Sequence, residues 1–403
     1  MRRVLLTLIA VLALCCSSEG RTLRKASPGA AGMDAAKLSQ VDREIGASID
    51  EGVIPGAVLA VVRGDRLVYL KAYGNKQVVP DTVAMTTSTV FDLASLSKCV
   101  GTTLAFLQLV EQGRVRLTDN VKMYIPDFKP WTDPKTGRKV DIRIIDLMTH
   151  SSGLTAYINV DSYLKRYGPA TPDSLMRHIA TEVKRNFEPR SDYIYSCLNF
   201  ITLQNILQNI TGQRFCDYVQ KNVFDRLGLE HTCYNPKEHP FILPLVAPTE
   251  VQADGKALLG EVHDPTARLV NCGNSGNAGV FSSAEDLAVI AAAIMNGGAI
   301  GKARILSPLT IKAMCTVPPE NAPHIGRALG WDNCSSSAGI RGDLFSRTQT
   351  ICHTGYTGTS MVIDMESRTA VILLAHRVHP KDKGSLTKLR ARVSNIVAGA
   401  IVE

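Results

Sequence analysis

The sequence contains no Cys-x-x-Cys pair and no His-Glu-x-x-His segment, and its nine histidines are scattered. A metal centre would have no ligand framework, so neither a metal nor a cofactor is expected. There is also no long block of basic residues: the net charge of +8, from 45 lysines and arginines against 37 acidic residues, is spread along the chain. That is a solvated surface, and nucleic acid is not an expected partner. Repeats, low-complexity tracts and linkers long enough to separate independent folding units are all missing, which leaves one domain over about 30–400. With 403 residues, 45% of them hydrophobic, it can bury a sizeable core.

The chain opens with Arg2 and Arg3, the apolar run Val4 to Leu14, and then Cys15, Cys16, Ser17 and Ser18. Such a run is well short of the roughly 20 residues a membrane-spanning helix needs. Residues 1–20 read as an export signal, with the mature protein periplasmic or secreted. Cysteine after a leucine-rich run also suggests lipid attachment at Cys15 or Cys16, although Leu14 stands where such a site usually has a small residue. Membrane contact is expected only through such an anchor. The eight remaining cysteines are irregularly spaced, so disulfides are permitted and no connectivity can be read.

Asp34 is placed to cap a helix carrying Leu38, Val41, Ile45 and Ile49, and Ala57–Val62 and Leu67–Ala72 flank a Gly64-Asp65 turn as a β-hairpin. From Val121 to about Phe281 the pattern is helical and loop-rich, with helices expected over 142–149, 172–185, 198–210 and 214–227. Ser283 opens a further helix to Met295. Strands return at 360–364 and 370–375, before an amphipathic helix over 386–401. The expected fold class is α/β (α+β): an antiparallel sheet built from both chain ends, flanked by terminal helices, with an inserted all-helical lobe. The sheet-bearing part would take 30–95 and 285–403, and the helical lobe 96–284.

The chemistry centres on Ser95-Leu96-Ser97-Lys98. On a helix starting there, residues three apart share a face, pairing a hydroxyl with a possible base. Lysine can act as that base only if its pKa falls toward neutrality. The free N–H groups of a helix start would face an oxyanion formed at the serine. Tyr195-Ser196-Cys197 lies in a loop before a helix, and His353-Thr354-Gly355 at a strand start. A tyrosine near a lysine can shuttle protons, and glycine at a strand edge lets a substrate backbone approach. Together these pieces describe an acyl-transfer site. His150, within His150-Ser151-Ser152-Gly153, reads as a structural turn residue.

This arrangement resembles the β-lactamase-related and penicillin-binding serine hydrolases, among them class C β-lactamases, D-Ala-D-Ala carboxypeptidases and esterases. The resemblance runs from about 30 to 400 and includes Leu147 to Leu154 and Gly279 to Leu287. It implies the fold given above. It also implies acylation of Ser95 at an amide or ester bond, proton transfer by Lys98 and Tyr195, and an oxyanion hole from the N–H groups of Ser95 and Tyr356. His353, with Gly355 beside it, would act near the substrate carboxylate. Two departures stand out: Cys197 takes the place of an asparagine that binds the substrate amide, and His353 that of a lysine. They favour a peptidase acting on cell-wall D-amino-acid peptides, or an esterase of small esters. A β-lactamase proper and a non-hydrolytic penicillin-binding sensor or scaffold are the alternatives.

Overall fold

Along the strand Gly56–Arg63 (β1), Ala57, Leu59 and Val61 belong to one buried apolar cluster, while Val58, Ala60 and Val62 belong to another. Side chains alternate across a strand, so a strand apolar at every position is one covered on both faces. The structure, a computed structural model, describes residues 23–382 and 384–403. The expected export segment and lipid site lie outside the described residues.

Four more strands complete the main sheet: Arg66–Gln77 (β2), Thr350–Thr354 (β3), Ser360–Asp364 (β4) and Thr369–Ala375 (β5). Their order is β2-β1-β5-β4-β3, all antiparallel. The two chain ends meet at its centre, where Leu59 pairs with Leu373 and Val61 with Val371. The segments Arg24–Lys25 and Val83–Ala84 extend the outer edge of β2.

Five helices position the rest: Val41–Asp50 (α1), Leu104–Glu111 (α2), Cys197–Thr211 (α3), Ala284–Met295 (α4) and Thr387–Gly399 (α5). α1 and α5 cover one face of the sheet, burying Val41, Ile45, Val393 and Val397 against Leu59 and Leu373. α4 covers the other face, against β1 and β5. Each buried Leu or Ile in these layers contributes about 1.5–3 kcal/mol. A charge introduced at Ile290 would sit unpaired among them and break this face.

The expected helix at the serine–lysine pair is present: helical backbone begins at Leu96, and a π-helical segment Lys98–Thr103 then leads into α2. Ser95 sits in a tight elbow at its start, where Leu96, Ser97 and Lys98 donate N–H bonds three residues back, at 3.0, 3.1 and 3.1 Å, and Ala94 is left-handed at φ 46°. Three other expectations are corrected. First, His353 lies near the end of β3, not at a strand start. Second, a small sheet of Val90–Asp92, Val280–Ser283 and Cys233–Tyr234 crosses the part read as helices and loops. Third, the helix from Pro172 stops at Thr181. The eight cysteines of the described residues are all free thiols.

Candidate active site

The small sheet holds the elbow before Ser95. Phe91 pairs with Ser282 and Asp92 with Phe281. The buried Asp92 carboxylate accepts the N–H groups of Ala94 and His263 at 2.8 and 2.7 Å. That cage offsets the cost of a left-handed alanine, of order 1–3 kcal/mol. It presents Ser95 to a cleft of about 300 Å³ whose lining includes Tyr193, Tyr195, Arg327, Asp332 and His353.

Lys98 is fully buried and its ammonium finds three acceptors: Ser95 Oγ at 3.0 Å, the Asn277 carbonyl at 2.8 Å and Cys197 Sγ at 3.5 Å. Burial works to lower its pKa, but the pull of Cys197 and Tyr195 outweighs that and raises it. The resting side chain is therefore charged, the opposite of the lowered pKa that a lone lysine base requires.

Tyr195 follows an extended stretch and precedes α3, for which Ser196 is the cap residue and Cys197 the first turn. Lys98 Nζ lies 5.1 Å from the Tyr195 ring centroid. The phenol oxygen is buried within reach of Ser95 and Lys98 but makes no well-aligned hydrogen bond among the described residues. Burial raises its pKa while Lys98 opposes the rise, so it rests as a neutral phenol. His150 packs against the ring at 4.4 Å between centroids, and its Nδ1 accepts the Ser196 N–H at 3.1 Å. Beyond being a left-handed turn residue at φ 58°, His150 thus holds Tyr195 by ring and by backbone.

His353 lies 5.8 Å from the Tyr195 ring between centroids. Its Nδ1 is 2.9 Å from the Thr354 carbonyl and so carries the proton, which leaves Nε2 as an acceptor. Burial, then Arg327 and Lys98, push its pKa well below the ordinary histidine value. A neutral imidazole cannot supply the cation that lysine would bring to this position. The cation comes from Arg327, which sequence reasoning missed. It is buried, paired with Asp332 at 3.0 Å, and 5.7 Å from the Tyr195 ring centroid. Its Nε and Nη2 have no protein partner among the described residues. The available signal was one arginine inside the apolar stretch Ile325 to Trp331.

Gly355 packs where a Cβ would strike the Leu93 carbonyl and the Thr359 hydroxyl. Thr357 and Thr359 donate hydroxyl bonds to the Asp92 and Leu93 carbonyls at 2.7 and 3.1 Å. The turn after His353 is thereby tied to the segment that delivers Ser95. The backbone N–H groups of Ser95 and Tyr356 have no intramolecular acceptor among the described residues. The Tyr356 ring is 56% exposed at the cleft mouth, between His263 at 5.6 Å and Arg377 at 4.5 Å. Cys197 is partly buried and faces Lys98.

A two-faced antiparallel sheet with a serine–lysine elbow beside it defines a hydrolase of the β-lactamase and transpeptidase-like fold. The sequence profile of the family described as Beta-lactamase matches residues 41–395, and the chain belongs to that family. It is 32% identical over 383 residues to a Salmonella agona (strain SL483) protein named "Putative D-alanyl-D-alanine carboxypeptidase", covering 90% of this chain and 87% of that one. Among solved structures, "EstCE1, a hydrolase with promiscuous acyltransferase activity" is similar at TM-score 0.72 and 22% identity, over 90% of this chain and 99% of that one. Simvastatin synthase (LovD) from Aspergillus terreus is similar at TM-score 0.69 and 19% identity, over 91% and 99%. At these identities the structures speak for the fold alone.

Proposed function

We propose that the protein is an exported serine hydrolase that forms an acyl-enzyme at Ser95 and releases the C-terminal residue of D-amino-acid peptides. The observation that carries this reading is the 3.0 Å bond from Lys98 Nζ to Ser95 Oγ, next to two N–H groups free to receive an oxyanion. Ser95 Oγ attacks the carbonyl carbon, and the developing O⁻ is received by the N–H groups of Ser95 and Tyr356, each such donor being worth about 2.7–4 kcal/mol in a comparable hydrolase.

Because the resting pair holds a lysine ammonium and a neutral phenol, the serine proton is taken by the form that has lost one proton. In that form Tyr195 is a phenolate stabilised by Lys98 and Arg327, the two cations that draw its pKa down. The same phenol then protonates the leaving amine, and its next deprotonation activates the water that cleaves the ester at Ser95. Arg327 favours peptides over neutral esters: two unpaired nitrogens of a buried guanidinium, Nε and Nη2, match a substrate carboxylate.

The test uses a fluorescent penicillin, p-nitrophenyl esters and an acyl-D-Ala-D-Ala peptide. Turnover abolished by Ser95→Ala supports the enzyme. Permanent labelling of Ser95 without turnover points to a sensor, and neither labelling nor turnover rules out both.

A further inference from the structure

The oxyanion donor expected at Tyr356 belongs to the same peptide unit as the Gly355 carbonyl, and that peptide is trans. In a trans peptide the C=O and N–H point in opposite directions, so whatever grips the oxygen aims the hydrogen. The grip comes from α5. The buried Arg390 donates from Nη2 to the Thr359 carbonyl at 3.0 Å and to the Gly355 carbonyl at 3.4 Å. Within the turn, Gly355 N–H bonds the Thr359 carbonyl at 2.8 Å and Gly358 N–H bonds the Gly355 carbonyl at 3.1 Å. A guanidinium from α5 therefore closes this turn at its carbonyl oxygens.

We propose that Arg390 is the positioning residue of the oxyanion hole, holding the Gly355 carbonyl so that the Tyr356 N–H points at the acyl carbonyl on Ser95. The inference rests on the acyl-enzyme reading above. Arg390 touches no reacting atom and exchanges no proton. It acts by orientation and by charge: a cation at the oxygen end of a peptide polarises the bond and makes its N–H a stronger donor. The effect is confined to the state in which the substrate oxygen carries negative charge, so it strengthens the transition state more than the bound substrate.

Arg390→Met and Arg390→Lys are compared with Arg392→Ala, a change on the same helix at an exposed residue paired with Glu44. Each variant is assayed for ester turnover and for binding of a phenylboronic acid, which forms a tetrahedral adduct with a serine. Active sites are counted by burst acylation, so that misfolded protein does not enter the rate. Arg390→Met is expected to lose about 10–100-fold in kcat and a similar factor in boronate affinity, with KM within about twofold. Arg390→Lys recovers part of both, and it replaces the methionine variant should that one not fold. Equal kcat and boronate affinity in Arg390→Lys, Arg390→Met and Arg392→Ala overturn the proposal and leave the acyl-enzyme reading intact. A wild-type protein with no turnover, no burst and no boronate binding overturns that reading and this proposal with it.

Discussion

The imidazole of His150 lies against the phenol of Tyr195, centroids 4.4 Å apart and planes tilted by 35°, while its Nδ1 accepts the N–H of the next residue, Ser196, at 3.1 Å. The Ile194 N–H bonds the His150 carbonyl at 3.3 Å, so Tyr195 is bracketed on both sides. Replacing His150 by alanine leaves the Ser196 N–H without its acceptor and the Tyr195 ring without its support. An unsatisfied buried donor costs about 1–3 kcal/mol. His150→Ala is expected to lower stability by about that amount in urea unfolding and to reduce kcat more than it raises KM. His150→Asn keeps an acceptor and should recover stability more than turnover. Full activity in His150→Ala would show that Tyr195 needs no such support.

The pH response separates two groups of titrating residues. Lys98 and Tyr195 are both raised, so the pair loses its first proton above neutrality and kcat/KM for a neutral ester should climb on the alkaline side. His353 is held neutral and contributes no limb near 6.5. A limb there that vanishes in His353→Asn counts against this assignment.

Stability should move with acid for a different reason. The His376 pKa is pushed down to about 3, by burial and by the neighbouring His379. Below about 6.5 the unfolded chain takes up that proton and the folded chain does not, so stability falls as pH drops from about 6.5 to about 3, by up to about 1.4 kcal/mol per pH unit. Above that window the group contributes no slope. His376 Nε2 donates to the Lys76 carbonyl at 2.7 Å, a bond that glutamine can keep. Urea unfolding at pH 7 and pH 5 should therefore show a smaller loss in His376→Gln than in the wild type.

Much of this was legible in the residues, and what was not has physical reasons. The main sheet followed from the two runs around the Gly64-Asp65 turn and the strands expected over 360–364 and 370–375, and the family resemblance and mixed fold held. Ser95, Tyr195 and His353 do line one cleft, with Lys98 buried against Ser95. Three kinds of feature were hidden. The segment before Ser95 has only three strand residues, and its sheet partners have two and four, so no alternation could appear. The Asn277 carbonyl that anchors Lys98 is backbone, to which sequence gives no name. Arg327 and Arg390 are two arginines among many: the apolar stretch around Arg327 was a faint signal, and for Arg390 only burial marks it out. The charge states of Lys98 and His353 likewise depend on neighbours far away in sequence.

Arg327 gives a test of substrate choice. Arg327→Lys keeps a positive charge beside Asp332 but loses the planar fork and its two unpaired nitrogens. For a peptide with a free terminal carboxylate, KM should rise by about 10-fold or more, as expected for the loss of about 1.5–3 kcal/mol of charge-assisted hydrogen bonding. A neutral p-nitrophenyl ester should be affected much less. Equal losses on both substrates would assign Arg327 to Tyr195 rather than to the carboxylate.

Cys197 offers the converse test. Its Sγ lies 3.5 Å from Lys98 Nζ, where an amide would be able to donate to a substrate carbonyl. Cys197→Asn should increase kcat/KM for N-acylated D-peptides and penicillins relative to simple esters, by about 5–10-fold if one neutral hydrogen bond of about 1 kcal/mol is gained. A fall on every substrate would mean that the thiol's contact with Lys98 matters more than the missing amide.

The central pairing of Leu59 with Leu373 also sets a timetable for biosynthesis. When the first hairpin leaves the ribosome, its neighbour in the sheet has yet to be translated, and at about 5–20 residues per second the wait is roughly 15–60 s. Until then β1 offers an unpaired edge with apolar side chains on both faces, a surface that invites aggregation. The nascent chain is therefore a natural client for holdase chaperones, and loss of even the last forty residues would leave the sheet without its middle strand.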